Sequence, residues 1–209
     1  NLINNIYKPG NKNYDNIDLS FIGEKDANCV ARLIYLNGKL LKLDADKLPQ
    51  GLIVNSLKYI IQNNSELIKD KVNTLDNYFE NRLSNVVDSR SQSIVSLNSA
   101  FHEDGTVILV KKNTDISGYI EIINLSQNQN NLMNHIRSLI HLEEGAKCNV
   151  IDRTLNLESK NNLSFASQVI DITLCKKANL SLMRFIEGNI DNTKINSIHS
   201  NVEDDAILN

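Results

Sequence analysis

Ile140–Val150, IHLEEGAKCNV, recurs twice further along the chain, as Ile172–Leu182, ITLCKKANLSL, and as Ser200–Asn209, SNVEDDAILN. Each copy sets an apolar residue (Leu142, Leu174, Val202) ahead of polar or small positions and an alanine (Ala146, Ala178, Ala206). The alanines stand 32 and 28 residues apart, and a fainter copy places Thr114, after Val110, 32 residues ahead of Ala146. Around them apolar residues alternate with a period of two, as in Ile170, Ile172, Leu174 and then Leu180, Leu182, which is the signature of strands. Strand-type sequence repeating at this interval predicts stacked units that bury their apolar faces against one another. A small residue such as alanine suits a corner where the chain bends inward. The expectation is a mainly β protein built as a parallel β-helix (solenoid). No period of six survives, which disfavours the left-handed hexapeptide type. Asn161, Asn162, Asn179, Asn189 and Asn192 are assigned to turns, where Asn tolerates left-handed backbone.

Working back from the repeat, the character of the chain changes across Ser96–Val110, SLNSAFHEDGTVILV. Asp104 and Gly105 form a turn signal before a strand-like run, Thr106–Val110. Upstream, Asn28–Leu43 contains two short apolar runs around Asn37 and Gly38, a strong hairpin signal because both residues tolerate positive φ. Leu48–Val54 gives another turn and strand, and Ser56 is placed to cap a helix Leu57–Gln62. Helical spacing continues through Ser65–Val72, Asp76–Val87 and Ser93–Phe101, the last with Ile94, Leu97, Ala100 and Phe101 inward. Asn1–Gly23 reads as a lead-in with a turn at Pro9 and Gly10. The chain therefore divides into an α+β hairpin and helical region, 1–95, and a β-helix core, 96–209, expected to be truncated at its C-terminal end.

With 209 residues and 41% hydrophobic content, the chain can bury a sizeable core. A net charge of −3 offers no basic surface for nucleic acid. No apolar run approaches the roughly 18 residues needed to span a bilayer. Three scattered cysteines, Cys29, Cys148 and Cys175, make no disulfide framework and fit a reducing compartment, so a cytoplasmic location is expected, or an organelle stroma in a plastid-bearing eukaryote. Asn makes up about 15% of the residues, a bias of composition that carries no function.

Few residues recommend themselves for chemistry. His102, His135, His141 and His199 pair with no Cys, Asp or Glu at a metal-ligand spacing, and no CxxC or HExxH occurs. His102, Glu103 and Asp104 resemble an acid–base cluster, but consecutive residues rarely converge on one substrate. Asp104 with Gly105 is better read as a turn, His102 as a helix C-terminal residue, and Phe101 as an apolar cap on the first coil. Asp152, Arg153, Asp171 and Arg184 could line the groove of a polysaccharide-active β-helix enzyme, yet charges are sparse and Trp is absent. No phosphate loop or GxSxG elbow occurs. The sequence therefore names no catalytic residue and no metal ligand, and it assigns no cofactor-binding residue.

Four segments taken in order resemble the SufB/SufD family of the SUF iron–sulfur cluster assembly system: Leu33–Leu40, LIYLNGKL; Leu48–Leu57, LPQGLIVNSL; Ser96–Val110; and Arg137–Asp152, RSLIHLEEGAKCNVID. The Asn–Gly hairpin and LPxG segment ahead of the LNxAFxxDG motif are more similar to SufD than to SufB. The resemblance implies a right-handed parallel β-helix flanked by helices. It also implies a non-catalytic scaffold that pairs with a SufB-like paralogue and a SufC-like ATPase, the cluster being held transiently by the full complex rather than by this fragment. The family's functional Cys and His and its ATPase dock have no counterpart that can be carried onto this sequence. Homodimerisation through β-helix edges is a further expectation. A polysaccharide-active enzyme and a purely structural solenoid are the alternatives.

Overall fold

A computed structural model of the chain describes residues 17–45, 47–69, 89–127, 133–157, 164–187 and 192–209. The described residues are mainly β, arranged in two mixed sheets. The first sheet has the order β11-β9-β7-β5-β1-β2 and the second β10-β8-β6-β4-β3. Their strands are β1 (Cys29–Leu36), β2 (Lys39–Asp44), β3 (Leu52–Ser56), β4 (Thr106–Val110), β5 (Tyr119–Gln127), β6 (Met133–Leu142), β7 (Lys147–Leu157), β8 (Ser164–Leu174), β9 (Asn179–Ile186), β10 (Asn192–Val202) and β11 (Ile207–Leu208). From β4 onward successive strands fall in alternate sheets, and from β6 onward each pairs in parallel with the strand two before it.

The register follows the sequence repeat. Val110 pairs with Leu142, Leu142 with Leu174, and Leu174 with Val202. The corners stack as well: Lys147 N donates to Thr114 O at 2.8 Å, Asn179 N to Ala146 O at 2.8 Å, and Ile207 N to Ala178 O at 2.8 Å. Ala146 and Ala178 are fully buried, as the small corner position requires. One position earlier the backbone is left-handed in every copy, at Asn113, Gly145, Lys177 and Asp205. The turn asparagines expected from the sequence are placed differently. Asn179 and Asn192 open strands, because the left-handed position precedes the alanine, and Asn161, Asn162 and Asn189 lie outside the described residues.

The hairpin is as expected, with Asn37 and Gly38 both at positive φ between antiparallel β1 and β2. It belongs to the same sheets as the repeat: β1 pairs in parallel with β5, and β3 pairs antiparallel with β4. Between the sheets, Leu33, Ile122, Val150, Ile108, Ile140 and Ile172 form one apolar core. Outside the first sheet, Ile34, Leu36, Ile123 and Leu155 form a second layer, which explains why β1 is buried on both faces.

Helix α1 (Leu57–Asn63) begins at Ser56, whose hydroxyl accepts from Tyr59 N at 3.1 Å. Residues 66–69 are helical, and the expected helix Asp76–Val87 lies outside the described residues. Helix α2 (Ser89–Phe101) packs on the outer face of the second sheet, but not by the side chains its spacing suggested. Val95 and Asn98 are buried, Leu97 is half-buried, Ala100 is exposed and Phe101 is 54% exposed. Asn98 turns inward because its Nδ2 can satisfy carbonyls that no apolar side chain could, Ile136 O and Ser167 O, both at 3.1 Å. Phe101 only lies against the His135 ring, with centroids 5.9 Å apart, and does not cap the core.

Phe101→Ala should therefore cost about 1 kcal/mol or less. Ile140→Ala, in the fully buried core, should cost about 2–5 kcal/mol. Denaturant melts of the two variants check the order, and an equal or larger loss at Phe101 would contradict this packing.

Candidate functional site

The junction that looked most like chemistry in the sequence is a hydrogen-bonded knot. Asp104 is buried, and its Oδ1 accepts from Lys58 N at 2.9 Å and Gly105 N at 2.8 Å, capping α1 alongside Ser56. Burial pushes its carboxyl up, with the two backbone amides pulling against it. Gly105 O accepts from Leu57 N at 2.7 Å and from the Tyr35 hydroxyl at 2.7 Å, while Thr106 Oγ1 donates to Tyr35 Oη at 3.0 Å. A Cβ on Gly105 would lie 1.7 Å from Arg137 O, so only glycine fits beneath β6. Burial pushes the Tyr35 phenol up, out of the range where it could exchange a proton. His102 Nδ1 reaches Asn98 O at 3.2 Å and Ser99 O at 3.0 Å, at the end of α2 as expected. Glu103 is exposed and pairs with Lys39 at 3.5 Å. The three consecutive residues thus point to three different neighbourhoods.

The structure instead gathers polar residues between the sheets. Along β5 the inward positions run Ile120, Ile122, Asn124, Ser126, and along β7 Val150, Asp152, Thr154, so one end of the interior is apolar and the other polar. The Asp152 carboxylate, 1% exposed, receives Arg184 Nε at 2.8 Å, Gln168 Nε2 at 3.0 Å and Asn124 Nδ2 at 2.8 Å. Arg184 also donates to Gln168 Oε1 at 2.6 Å and Asn196 Oδ1 at 3.3 Å. Burial pushes the Asp152 carboxyl up, and Arg184 opposes this most strongly. Near the mouth, Lys194 Nζ donates to Asn156 Oδ1 and Glu187 O, both at 2.8 Å, and burial pulls its ammonium down.

The other charges of the supposed groove are elsewhere. Arg153 follows Asp152 by one residue and therefore points outward, where it pairs with Glu121 at 3.2 Å. Glu121 also holds Arg32 at 2.6 Å. Asp171 lies on the outer face of the second sheet between Arg137, at 2.8 Å, and His199, at 3.2 Å, while Arg137 also bonds Ser99 of α2. Asp152 and Arg184 meet; Arg153 and Asp171 join neither them nor each other.

His135, one of four histidines with no metal-ligand spacing in the sequence, has surroundings that no local signal shows. It is 4% exposed, lies between the Phe101 and Phe165 rings, and sets Nδ1 2.9 Å from Ser167 Oγ. Burial, with His102 nearby, pulls its imidazole down to about 4. None of the three cysteines is in a disulfide: burial pushes the Cys29 thiol up and the Cys148 thiol up to about 12, and Cys175 is half-buried in a turn. Neither buried thiol is a ready thiolate nucleophile. Among the described residues no group of three His, Cys, Asp or Glu side chains is placed to hold a metal ion. Among them no helix is long and apolar enough to cross a membrane.

The residues from β1 into β5 contain the hairpin, the LPxG segment and the Asp104–Gly105 knot. Residues 29–122 match the family model described as the SufBD protein N-terminal region. Over this region the chain is similar to the SufB/SufD family. That match indicates involvement in SUF iron–sulfur cluster assembly. No curated protein matches it.

Two measurements probe this geometry. Asp152→Ala leaves the Arg184 charge buried without its partner and should cost about 3–5 kcal/mol, whereas replacing both by apolar residues of similar volume should recover most of the loss. A double-mutant cycle in denaturant checks this. For His135, the unfolded chain takes up a proton near 6.5 and the folded chain only near 4, so stability is complete above that window and falls as pH drops through it. His135→Phe should flatten that part of the stability–pH curve.

Proposed function

We propose that this chain is a SufD-like, non-catalytic scaffold subunit of the SUF machinery, working with a SufB-like paralogue and a SufC-like ATPase in the cytoplasm. Its two sheets are proposed to be the walls of a right-handed parallel β-helix, with a hairpin and helical region over 1–95 leading into a core over 96–209. The observation that carries the reading is the family match over residues 29–122, which supply the strands on which the later coils stack. The in-register parallel ladders, two strands apart and in alternate sheets, support the β-helix.

The proposed docking face for a SufB-like paralogue, or for a second copy of this chain, is the last set of strands. There Met183, Phe185, Ile186, Ile198, Val202 and Ile207 are exposed apolar residues on β9, β10 and β11. Apolar side chains grouped on open strand edges favour association over solvation.

The test is co-expression with a SufB-like and a SufC-like protein and affinity capture of the tagged chain. Retention of the SufB-like partner is expected, reduced at least tenfold by Phe185→Asp with Ile198→Asp, a loss of about 1.4 kcal/mol or more. Capture of neither partner by the unmodified chain would overturn the reading.

A further inference from the structure

We infer that the polar half of the interior binds one buried water molecule between Asn124 and Thr154. These residues are direct neighbours on the parallel pair β5 and β7, and both turn into the space between the sheets. Each is buried, at 3% and 7% exposure, and each carries an oxygen with no protein partner, Asn124 Oδ1 and Thr154 Oγ1. The orientation of the Asn124 amide is chemically determined. The Asp152 carboxylate, ion-paired with Arg184, can only accept, so Nδ2 must face it and Oδ1 must face away.

Asn124 and Thr154 line a cavity of about 20 Å3, together with Ser126, Asn134, Gln168 and Lys194. One water needs roughly 10–15 Å3 and two to four polar partners, so the cavity admits one molecule and supplies the partners. A buried polar oxygen left without a donor costs about 1–3 kcal/mol, and here two residues paired across adjacent strands each carry one. Water can donate one hydrogen to Asn124 Oδ1 and the other to Thr154 Oγ1, while its own oxygen accepts from a lining donor. A metal cation is the wrong occupant, because the Lys194 ammonium lines the same space. A polyatomic anion or an organic ligand is too large for it.

The experiment is a crystal structure of the unmodified chain at a resolution that shows single waters, repeated for Thr154→Val, which keeps the shape and removes the hydroxyl. The expected result is an isolated peak within about 2.6–3.2 Å of both oxygens, lost or displaced in the valine variant. In solution, water-selective nuclear Overhauser transfer to the Asn124 side-chain amide is expected in the unmodified chain and reads the same site should the variant not fold. A clean map with no density there, a peak touching neither oxygen, or an unchanged peak in Thr154→Val would overturn the inference.

Discussion

The stack holds together because each strand from β6 onward finds its hydrogen-bond partners in the strand two before it, with the ladder continued through the corners. Val110, Leu142, Leu174 and Val202 stand in one file because the amide that follows each later member donates to the carbonyl of the one before, as Glu143 N does to Val110 O at 2.9 Å. A slip of one residue would turn every inward isoleucine and leucine outward and break the corner bonds as well. The alanines pack where the corner has no room, and the left-handed residue before each lets the chain turn tightly enough to reach them.

The same register that stacks the apolar files also stacks polar ones. Asn124 beside Thr154, and Asp152 beside Arg184, are rung neighbours in the first sheet, just as Leu142 and Leu174 are in the second. Burying Asp152 and Arg184 is costly unless each finds several partners, and they do so through Gln168 and Asn196 from the opposite sheet. The network ties the two sheets together where no hydrophobic contact does.

Much of this was readable from residue order. The hairpin, the helix after Ser56, the strand period and even the register of the corner alanines follow from local chemistry: positive φ at Asn37 and Gly38, a hydroxyl at an N-cap, and alternation along strands. The structural role of Asp104 and Gly105 also follows, though its reason is tertiary, the close approach of Arg137 O. The face expected for α2 differs because Asn98 counts as polar in any periodicity argument, and nothing nearby in sequence shows the Ile136 and Ser167 carbonyls that it bonds. Phe101 was misread for the complementary reason, since an aromatic at helical spacing looks inward until the sheet beneath it is placed.

The sequence by itself determined the repeating unit, its strands and corners, and the family resemblance of its first part, because these depend on residues close together or on a pattern that recurs at a regular interval. Only the tertiary structure decided which polar residues meet. Asp152 and Arg153 are adjacent in the chain yet point to opposite faces, while Asp152 finds Arg184 on the neighbouring strand β9 and Gln168 in the other sheet. The physical reason is that a strand's period of two assigns each side chain to a face, and the pairing of strands distant in sequence then chooses its neighbours.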